Sequence, residues 1–227
     1  MKNIVLVHGL FADGSSWGKV IPLLQAKGLH VTAVQNPTTS LDADVAAVKR
    51  ALARQDGPVI LVGHSYGGMV ISQAGDDPDV KGLVYIAARA PEAGEDYPAL
   101  TKRFPAAPAS AGLKWSDDGF GQLTEAAFVN DFAGDLPKAE AEAYYAVQQP
   151  IGEGIKSAKT SVAAWKDKPT WYAVSTQDHT IDTELQRFMA KRMNAHTVEL
   201  SASHVSLLSQ PEAVAKLIMQ AAHVPGQ

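Results

Sequence analysis

The sequence contains no cysteine among its 227 residues. This absence excludes disulfides, thiolate catalysis and zinc sites built on cysteine ligands. The sequence also has no cluster of lysines and arginines. It contains 20 lysines and arginines and 24 aspartates and glutamates, so the formal net charge is −4. A chain without a basic patch offers the phosphates of a nucleic acid no attractive surface. We therefore expect no nucleic-acid partner.

Long apolar runs are missing as well. No segment reaches the length of a membrane span, and Met1 leads into a short strand-like run without the apolar region of a signal peptide. We therefore expect a cytoplasmic protein without a membrane partner. The length fits one domain, or one core with a sizeable insertion, and there is no internal repeat.

The most informative stretch is residues 58–75, PVILVGHSYGGMVISQAG. Its apolar run is typical of a strand that is buried on both faces of a parallel sheet. Gly63, Ser65 and Gly67 then spell G-x-S-x-G, the turn that exposes a serine between a strand and a helix. Free N–H groups and the helix dipole favour negative charge there. Such a serine can instead merely cap the helix, so the motif depends on its structural context.

Strand-like runs alternate with helical patterns along most of the chain. This alternation predicts an α/β fold with a doubly wound, mostly parallel six-stranded sheet, whose functional loops follow the carboxyl ends of the strands. The predicted strands are 4–7, 30–35, 59–62, 82–87, 170–175 and 197–200. Capping boxes at 39–42 and 209–212 are predicted to start two of the helices.

Residues 89–168 interrupt the alternation. They are rich in alanine and proline, carry scattered aromatic residues and contain no convincing buried strand. We interpret this segment, called the insertion below, as mostly helical. The core is then formed by residues 1–88 and 169–227.

Ser65 is a weak nucleophile by itself and needs a histidine base and a carboxylate that orients the base. Asp178 follows the fifth predicted strand and His204 follows the sixth, so both belong on the edge of the sheet that carries Ser65. The other six histidines have structural or solvated alternatives. Asp182 is a rival carboxylate, although it can instead cap the following helix. We therefore predict Asp178 and His204 as the partners of Ser65.

An ester carbonyl under attack becomes an oxyanion, which needs N–H donors that are already in place. These donors typically belong to the residue after the nucleophile and to a loop that follows an early strand. We therefore predict the backbone N–H groups of Tyr66 and Leu10.

Four segments carry a resemblance to a known family: VLVHGLFADGSSW, GHSYGGMV, AAWKDKPTWYAVSTQDHTID and SHVSLLSQPEAV. With them the chain resembles the α/β-hydrolases nearly end to end, and in particular the methylesterase, carboxylesterase and hydroxynitrile lyase branch. The resemblance implies that Ser65 is the nucleophile, Asp178 the acid and His204 the base. It also implies oxyanion donors at Leu10 and Tyr66.

The same resemblance implies that the insertion is a lid over the active site. Larger members begin with an antiparallel hairpin, which we expect to be absent because the chain starts directly at the strand before His8. The similar lyases carry threonine where Gly9 stands and lysine where Val205 stands, so both positions resemble the esterases. A serine nucleophile also argues against haloalkane dehalogenases, which use a carboxylate.

The expected function is hydrolysis of a small-molecule carboxylic ester through an acyl-enzyme, with no metal and no organic cofactor. A hydroxynitrile lyase, a cofactor-free perhydrolase, a carbon–carbon hydrolase and a small-molecule receptor with a vestigial site stay open as alternatives. The oligomeric state, monomer or homodimer, is also open.

Large apolar side chains near the site predict a preference for compact apolar or aryl esters over charged or long-chain ones. Those in the insertion can instead form its own small core. The candidate substrate-binding residues are Phe11, Phe104, Trp115, Phe120, Phe128 and Phe132.

Overall fold

The computed structural model describes residues 1–223, which form two sheets. The strands are β1 Asn3–Val7, β2 His30–Val34, β3 Val59–His64, β4 Val80–Ile86, β5 Leu113–Trp115, β6 Phe120–Leu123, β7 Ile151–Gly152, β8 Thr170–Ser175 and β9 His196–Leu200. Six of them form a parallel sheet in the order β2-β1-β3-β4-β8-β9. Each predicted strand matches one of these six to within two residues at either end, and the predicted parallel sheet is confirmed.

Helices cover both faces of this sheet. Six helices belong to this core: α1 Val20–Gln25, α2 Leu41–Leu52, α3 Gly67–Ala74, α7 Thr183–Arg192, α8 Ser206–Ser209 and α9 Pro211–Ala221. Three more, α4 Tyr97–Thr101, α5 Glu125–Ala127 and α6 Lys138–Ala146, lie in the insertion. The chain moves from β1 to β2 in one direction and from β2 to β3 in the other, so right-handed crossovers place α1 and α2 on opposite faces. Accordingly, α1 packs on α9 and α2 packs on α3. Within residues 1–223, no helix is both long and apolar enough to cross a membrane.

Burial follows the position of each strand in the sheet. The central strands β1, β3 and β8 are buried at every residue, whereas the edge strands β2 and β9 are each buried only at their last residue. Because helices cover both faces, a central strand meets apolar neighbours above and below, which explains its continuous apolar sequence. The core therefore lies directly beneath the loops that follow β1 and β3.

Both predicted capping boxes are wrong in position. Ser40 caps α2, because its extended backbone lets its hydroxyl accept a hydrogen bond from the amide of Ala43. Ser209 cannot cap α9, since it is the last residue of α8 and is itself helical. Gln210 precedes the helix without a side-chain cap, and Pro211 takes the first position, where a missing N–H costs nothing.

The prediction that the insertion is mostly helical is only partly correct. Besides α4, α5 and α6 it contains the antiparallel sheet β5-β6-β7. These strands are only two to four residues long, and β5 and β6 include exposed residues, so they lack the apolar run that reveals a strand. Close packing stabilises the pairing of β5 with β6 instead, since a Cβ at Gly121 would lie 3.0 Å from the ring of Trp115.

Hydrogen bonds attach the insertion to loops at the carboxyl edge of the main sheet. The amide of Gly152 donates to the carbonyl of Thr38, which follows β2, over 2.7 Å. The amide of Ala109 donates to the carbonyl of His179, which follows β8, over 3.0 Å. The carboxylate of Asp135 accepts from the amide of Ser203, which follows β9. The insertion therefore contacts the edge of the sheet where the predicted site residues lie.

Candidate active site

The turn between β3 and α3 holds Ser65 in a backbone conformation that few residues with a side chain adopt. Its φ is +53°, and such left-handed strain costs about 1–3 kcal/mol. Glycines on both sides make room for the turn. A Cβ at Gly63 would lie 2.6 Å from the carbonyl carbon of Gly67, and one at Gly67 would lie 2.5 Å from the carbonyl oxygen of Val7. Both glycines of the motif therefore allow a close approach between strands and helix.

Ser65, His204 and Asp178 form one hydrogen-bonded row. The hydroxyl oxygen of Ser65 lies 2.7 Å from Nε2 of His204, and Nδ1 of His204 lies 2.7 Å from Oδ2 of Asp178. Because the carboxylate can only accept, Nδ1 carries the ring proton, and Nε2 is left to accept the serine proton. The side chains of His204 and Asp178 are both fully buried. The structure thus brings the three predicted residues together from loops after β3, β8 and β9.

Asp178 is held by three donors besides His204. Its Oδ1 accepts from the amides of Thr180, over 2.7 Å, and Ile181, over 3.0 Å, and its Oδ2 accepts from Nε2 of Gln186, over 2.7 Å. Together these bonds fix the orientation of the carboxylate. Asp182, the rival, has another role, since its side chain accepts from two amides in the first turn of α7.

Gln186 is a positioning residue that sequence reasoning missed. It is fully buried in α7. Its Oε1 accepts from the amide of Ser175 over 3.0 Å, and its Nε2 reaches both Asp178 and the carbonyl of Ile181. A polar side chain on the buried face of an otherwise apolar helix stripe is the one sequence signal that it left.

The loop that carries His204 is also fixed from outside. Asp135 accepts from the amide of Ser203 over 2.9 Å and from its hydroxyl. In addition, Nε2 of His64 donates to the carbonyl of His204 over 2.9 Å. The ring of Phe132 lies 5.1 Å from the ring of His204, between centroids. Asp135 and His64 left no sequence signal for these roles, because the contacts span distant parts of the chain.

Two further histidines near the site are neutral structural groups. Burial lowers the pKa of His64 well below its usual range, and burial also lowers the pKa of His8. Nε2 of His8 accepts from the amide of Asn36 over 2.9 Å, so its Nδ1 holds the proton and donates to the carbonyl of Gly9. Both rings brace loops at the carboxyl edge without contacting the hydroxyl of Ser65.

The backbone amides of Leu10 and Tyr66 lie in the two turns that flank Ser65. Among residues 1–223, neither amide donates to a protein acceptor. Gly9 brings the first turn against the second, because a Cβ at Gly9 would lie 2.6 Å from Cβ of Ser65. Phe11 then reverses the chain with a φ of +60°. Two amides that lack acceptors and flank a candidate nucleophile are what an oxyanion requires.

Asp44 of α2 anchors the side chain of Tyr66. The Tyr66 hydroxyl donates to Oδ2 of Asp44 over 2.8 Å, and the amide of Thr38 donates to Oδ1 over 2.8 Å. Asp44 is fully buried, and burial raises the pKa of this carboxyl. Sequence reasoning missed Asp44, which looks like an ordinary acidic residue in the first turn of a helix.

A cavity of about 440 Å³ lies between the carboxyl edge of the sheet and the insertion. Core loops contribute Leu10, Phe11 and Thr180 to its wall, and the first residue of the insertion contributes Arg89. The insertion contributes the larger part of the wall, which is mainly apolar: Tyr97, Pro98, Thr101, Ala109, Ser110, Leu113, Trp115, Leu123, Ile151, Ile155 and Lys156. Leu10, one of the two predicted oxyanion donors, belongs to this wall, whereas Ser65 and Tyr66 are not among its lining residues.

The six predicted substrate-binding aromatics divide into three groups. Phe11 and Trp115 line this cavity. Phe128 and Phe132 pack against each other with ring centroids 4.7 Å apart, and they cover a small crevice beside His64. Phe104 and Phe120 lie elsewhere: Phe104 packs on Phe188 of α7, and Phe120 on β6 is 38% exposed. The periodicity of the insertion could not distinguish these groups, because its segments fold back on one another.

The hydrogen bonds and the strained turn at Ser65 are typical of one kind of enzyme. A serine in a strained turn between a parallel strand and a helix, hydrogen-bonded to a histidine and through it to a carboxylate, is the arrangement of Ser-His-Asp hydrolases. The model of the alpha/beta hydrolase family matches residues 4–217 of the chain. The chain belongs to the alpha/beta hydrolase family.

Several known proteins are similar to this chain over most of their length. A pyrethroid hydrolase of Sphingobium wenxiniae is 29% identical, with all of this chain and 90% of that protein covered. Methylesterase 8 of Arabidopsis thaliana is 26% identical over 93% of this chain and 86% of its own length. The crystal structure of a pyrethroid hydrolase from Sphingobium faniae JZ-2 superposes with a TM-score of 0.81 at 26% identity, covering 99% of this chain and 98% of that one. The chain is thus similar to the esterase-type branch that its motifs resemble.

Proposed function

We propose that the protein hydrolyses carboxylic esters of small apolar or aryl substrates through an acyl-enzyme on Ser65. The observation that carries this proposal is the hydrogen-bonded row from the Ser65 hydroxyl through His204 to Asp178, with 2.7 Å at each step. A serine, a base and an orienting carboxylate at these distances are the parts that acyl transfer needs.

The chemistry follows from which atoms hold protons. Oγ of Ser65 attacks the ester carbonyl while Nε2 of His204 accepts its proton, and Asp178 stabilises the imidazolium that forms. The carbonyl electron pair moves onto oxygen, where the amides of Leu10 and Tyr66 donate to it. The tetrahedral intermediate then collapses, and the alcohol leaves with the proton from Nε2.

Water completes the cycle by the same route. Nε2 of His204 takes a proton from water, the hydroxide attacks the acyl carbonyl, and Ser65 leaves with the returned proton. The products are a carboxylic acid and the free serine. Every step uses residues of this chain, and no step needs a cofactor.

Two similar proteins support an ester as the scissile group, since their names describe a pyrethroid hydrolase and a methylesterase. The wall of the cavity supports compact apolar or aryl substrates, because Phe11 and Trp115 line a space of about 440 Å³. The position of the insertion, bonded to loops after β2, β8 and β9, supports its proposed role as a lid.

The hydroxynitrile lyase alternative is disfavoured at Gly9. The similar lyases carry threonine here, and a Cβ at this residue would lie 2.6 Å from Cβ of Ser65 and 3.2 Å from Nδ1 of His64. The loop would have to move away from Ser65 to accept that side chain. Its close approach instead suits the esterase assignment.

The test is ester turnover and covalent labelling by a serine-directed phosphonate in the Ser65→Ala variant. We expect turnover of chromogenic esters to fall by about 10⁴-fold or more and labelling to disappear, because the alanine lacks the attacking oxygen. The matched control is Ser157→Ala, at an exposed serine of the insertion, which should behave like the parent. Near-full activity of the Ser65 variant would reject the nucleophile assignment.

A further inference from the structure

Arg89 differs from the other arginines that are not fully exposed. Arg187 and Arg192 each form ion pairs with carboxylates, to Glu199 and Glu95 respectively. Within residues 1–223, the half-buried guanidinium of Arg89 has no hydrogen-bond acceptor and no carboxylate partner, and its Nε is buried. The N–H donors of such a guanidinium are free to bind an acceptor on a ligand.

Arg89 is held beside the candidate nucleophile. Its amide donates to the carbonyl of Ser65 over 2.9 Å. Its guanidinium carbon lies 5.0 Å from the ring centroid of Tyr97 and 5.8 Å from that of Tyr66. Contact with two aromatic rings orients the planar group without using its N–H donors.

Two hydroxyls in the same wall also lack partners. The hydroxyl of Tyr97 in α4 and the hydroxyl of Thr180 are buried, and neither has a hydrogen-bond partner in the described part of the chain. Both residues line the cavity of about 440 Å³, as Arg89 does. Buried polar groups in native proteins are nearly always hydrogen-bonded, so three such groups around one cavity indicate a ligand that accepts hydrogen bonds.

The charged residues of the cavity wall indicate the charge of that ligand. Arg89 and Lys156 line the cavity, and no aspartate or glutamate does, although the whole chain carries a net charge of −4. Lys156 already has an acceptor, since its ammonium lies 3.1 Å from Glu153 and 3.5 Å from the ring centroid of Trp115. Arg89 therefore provides the cation that an anionic ligand would meet.

We propose that Arg89, with the hydroxyls of Tyr97 and Thr180, binds a carboxylate of the substrate, so that the preferred esters carry a negative charge. The inference rests on the proposed ester hydrolysis and names the substrate class for the same site. A guanidinium matches a carboxylate through two parallel N–H bonds, and each hydroxyl adds one donor. Leu10 lines the same cavity, and the amide of Arg89 donates to the carbonyl of Ser65. The proposal therefore requires one small molecule to present its carbonyl at Leu10 and Ser65 and its carboxylate at Arg89. This revises the expectation that all charged esters are disfavoured.

The first experiment compares kcat/KM within two pairs of esters. Mono-4-nitrophenyl glutarate against 4-nitrophenyl methyl glutarate places the charge on the acyl side, and 4-acetoxybenzoate against its methyl ester places it on the alcohol side. We expect the anionic member to be preferred by about tenfold or more in one pair. If the neutral member is equal or better in both pairs, the proposal is wrong.

Variants assign the preference to its residues. Arg89→Gln should lower the ratio of anionic to neutral kcat/KM by about tenfold or more, whereas Arg89→Lys should retain part of it as a point charge. Tyr97→Phe and Thr180→Val should each lower the ratio by a smaller factor, which tests the same site if Arg89→Gln fails to fold. Lys102→Gln removes an exposed cation that does not line this cavity and should leave the ratio unchanged. If Arg89→Gln folds and keeps the parent's ratio of anionic to neutral kcat/KM, the proposal is wrong. If Arg89→Gln does not fold, the proposal is wrong when both hydroxyl variants keep that ratio.

Binding to the Ser65→Ala variant separates this proposal from the proposed function. Calorimetry with benzoate, glutarate and neutral benzamide should show binding of at least one carboxylate, with loss on adding Arg89→Gln. If that holds while no ester is turned over by the parent, ester hydrolysis fails and the carboxylate site stands. If esters are turned over while neither carboxylate binds through Arg89, the carboxylate site fails and ester hydrolysis stands.

Discussion

At the scale of single residues, Ser65 and its two partners combine backbone strain with complete hydrogen bonding. The turn stores strain at Ser65, with its φ of +53°, and packing on both sides maintains it. Asp178 accepts from three donors besides His204, so its carboxylate cannot rotate without losing several bonds. The imidazole is therefore fixed in orientation and tautomer before any substrate binds, which is the preorganisation that acyl transfer requires.

Substitution of the two neighbouring carboxylates should separate their roles. Asp178→Asn cannot stabilise the imidazolium and should lower kcat by about 10⁴-fold. Asp182→Asn should lower it little, because asparagine also caps helices well. Steady-state kinetics on both variants tests this, with thermal unfolding as the folding control. Equal losses, or the reverse order, would transfer the orienting role to Asp182.

At the scale of elements, the insertion contributes to the site in two ways. It forms most of the cavity wall, and it fixes the loop of His204 through the carboxylate of Asp135. The first contribution concerns which substrate binds, and the second concerns where the base is held. These two effects can be measured separately, because one changes KM and the other changes kcat.

Asp135→Ala should lower kcat by about tenfold while changing KM little. The alanine removes the acceptor of the Ser203 amide and leaves the Ser203 hydroxyl only the carbonyl of Phe132 at 3.4 Å. A base displaced by about 1 Å can lose up to about 10²-fold in rate. Asp135→Asn keeps one acceptor and should retain more activity. Asp117→Ala, at an exposed residue, is the control. Wild-type kcat in Asp135→Ala would show that the loop is fixed by its other contacts alone.

Two aromatics of the insertion should respond in opposite ways to alanine substitution. Trp115→Ala removes part of the cavity wall and should raise KM for aryl esters and shift the acyl preference. Phe104→Ala removes a contact with Phe188 and should mainly reduce stability, by about 1–2 kcal/mol for a half-buried ring. Ester panels and urea unfolding report the two effects. An unchanged ester profile in Trp115→Ala would contradict the assigned wall.

At the scale of the whole molecule, two buried neutral histidines make the stability of the fold depend on pH. Burial lowers the pKa of both His8 and His64 in the folded chain, whereas in the unfolded chain a histidine has a pKa of about 6.5. As the pH falls below that value, the unfolded chain binds protons that the folded chain does not bind. The free energy of unfolding therefore falls with pH, in the window from about 6.5 down to the lowered values.

The expected slope is about 1.4 kcal/mol per pH unit for each histidine, or about 2.7 kcal/mol for both, well below pH 6.5. Urea unfolding at about pH 7, 6 and 5 measures it. His64→Gln should lower the slope by the contribution of one histidine, about 1.4 kcal/mol per pH unit. His30→Gln, at an exposed residue, should leave the slope unchanged. The same slope in His64→Gln as in the parent would contradict a neutral buried His64.

The amino-acid sequence was enough to predict the sheet, the turn at Ser65 and the edge on which Asp178 and His204 meet it. These features depend on local pattern and on one topological rule. Apolar runs mark the central strands, G-x-S-x-G marks the turn, and parallel strands bring their carboxyl ends to the same edge. The order of these strands and motifs along the chain was therefore sufficient to predict that Ser65 and His204 meet, although they are 139 residues apart.

The side chains that support and surround that site could not be predicted from the sequence. Asp135 contacts Ser203 across 68 residues, and Tyr66 contacts Asp44 across 22. The short strands of the insertion depend on packing such as Trp115 on Gly121. Such contacts leave no periodic signal, because each depends on how two distant segments meet. For the same physical reason, the sequence could not show that the Arg89 guanidinium lacks a hydrogen-bond acceptor within residues 1–223, since this depends on every residue that packs around it.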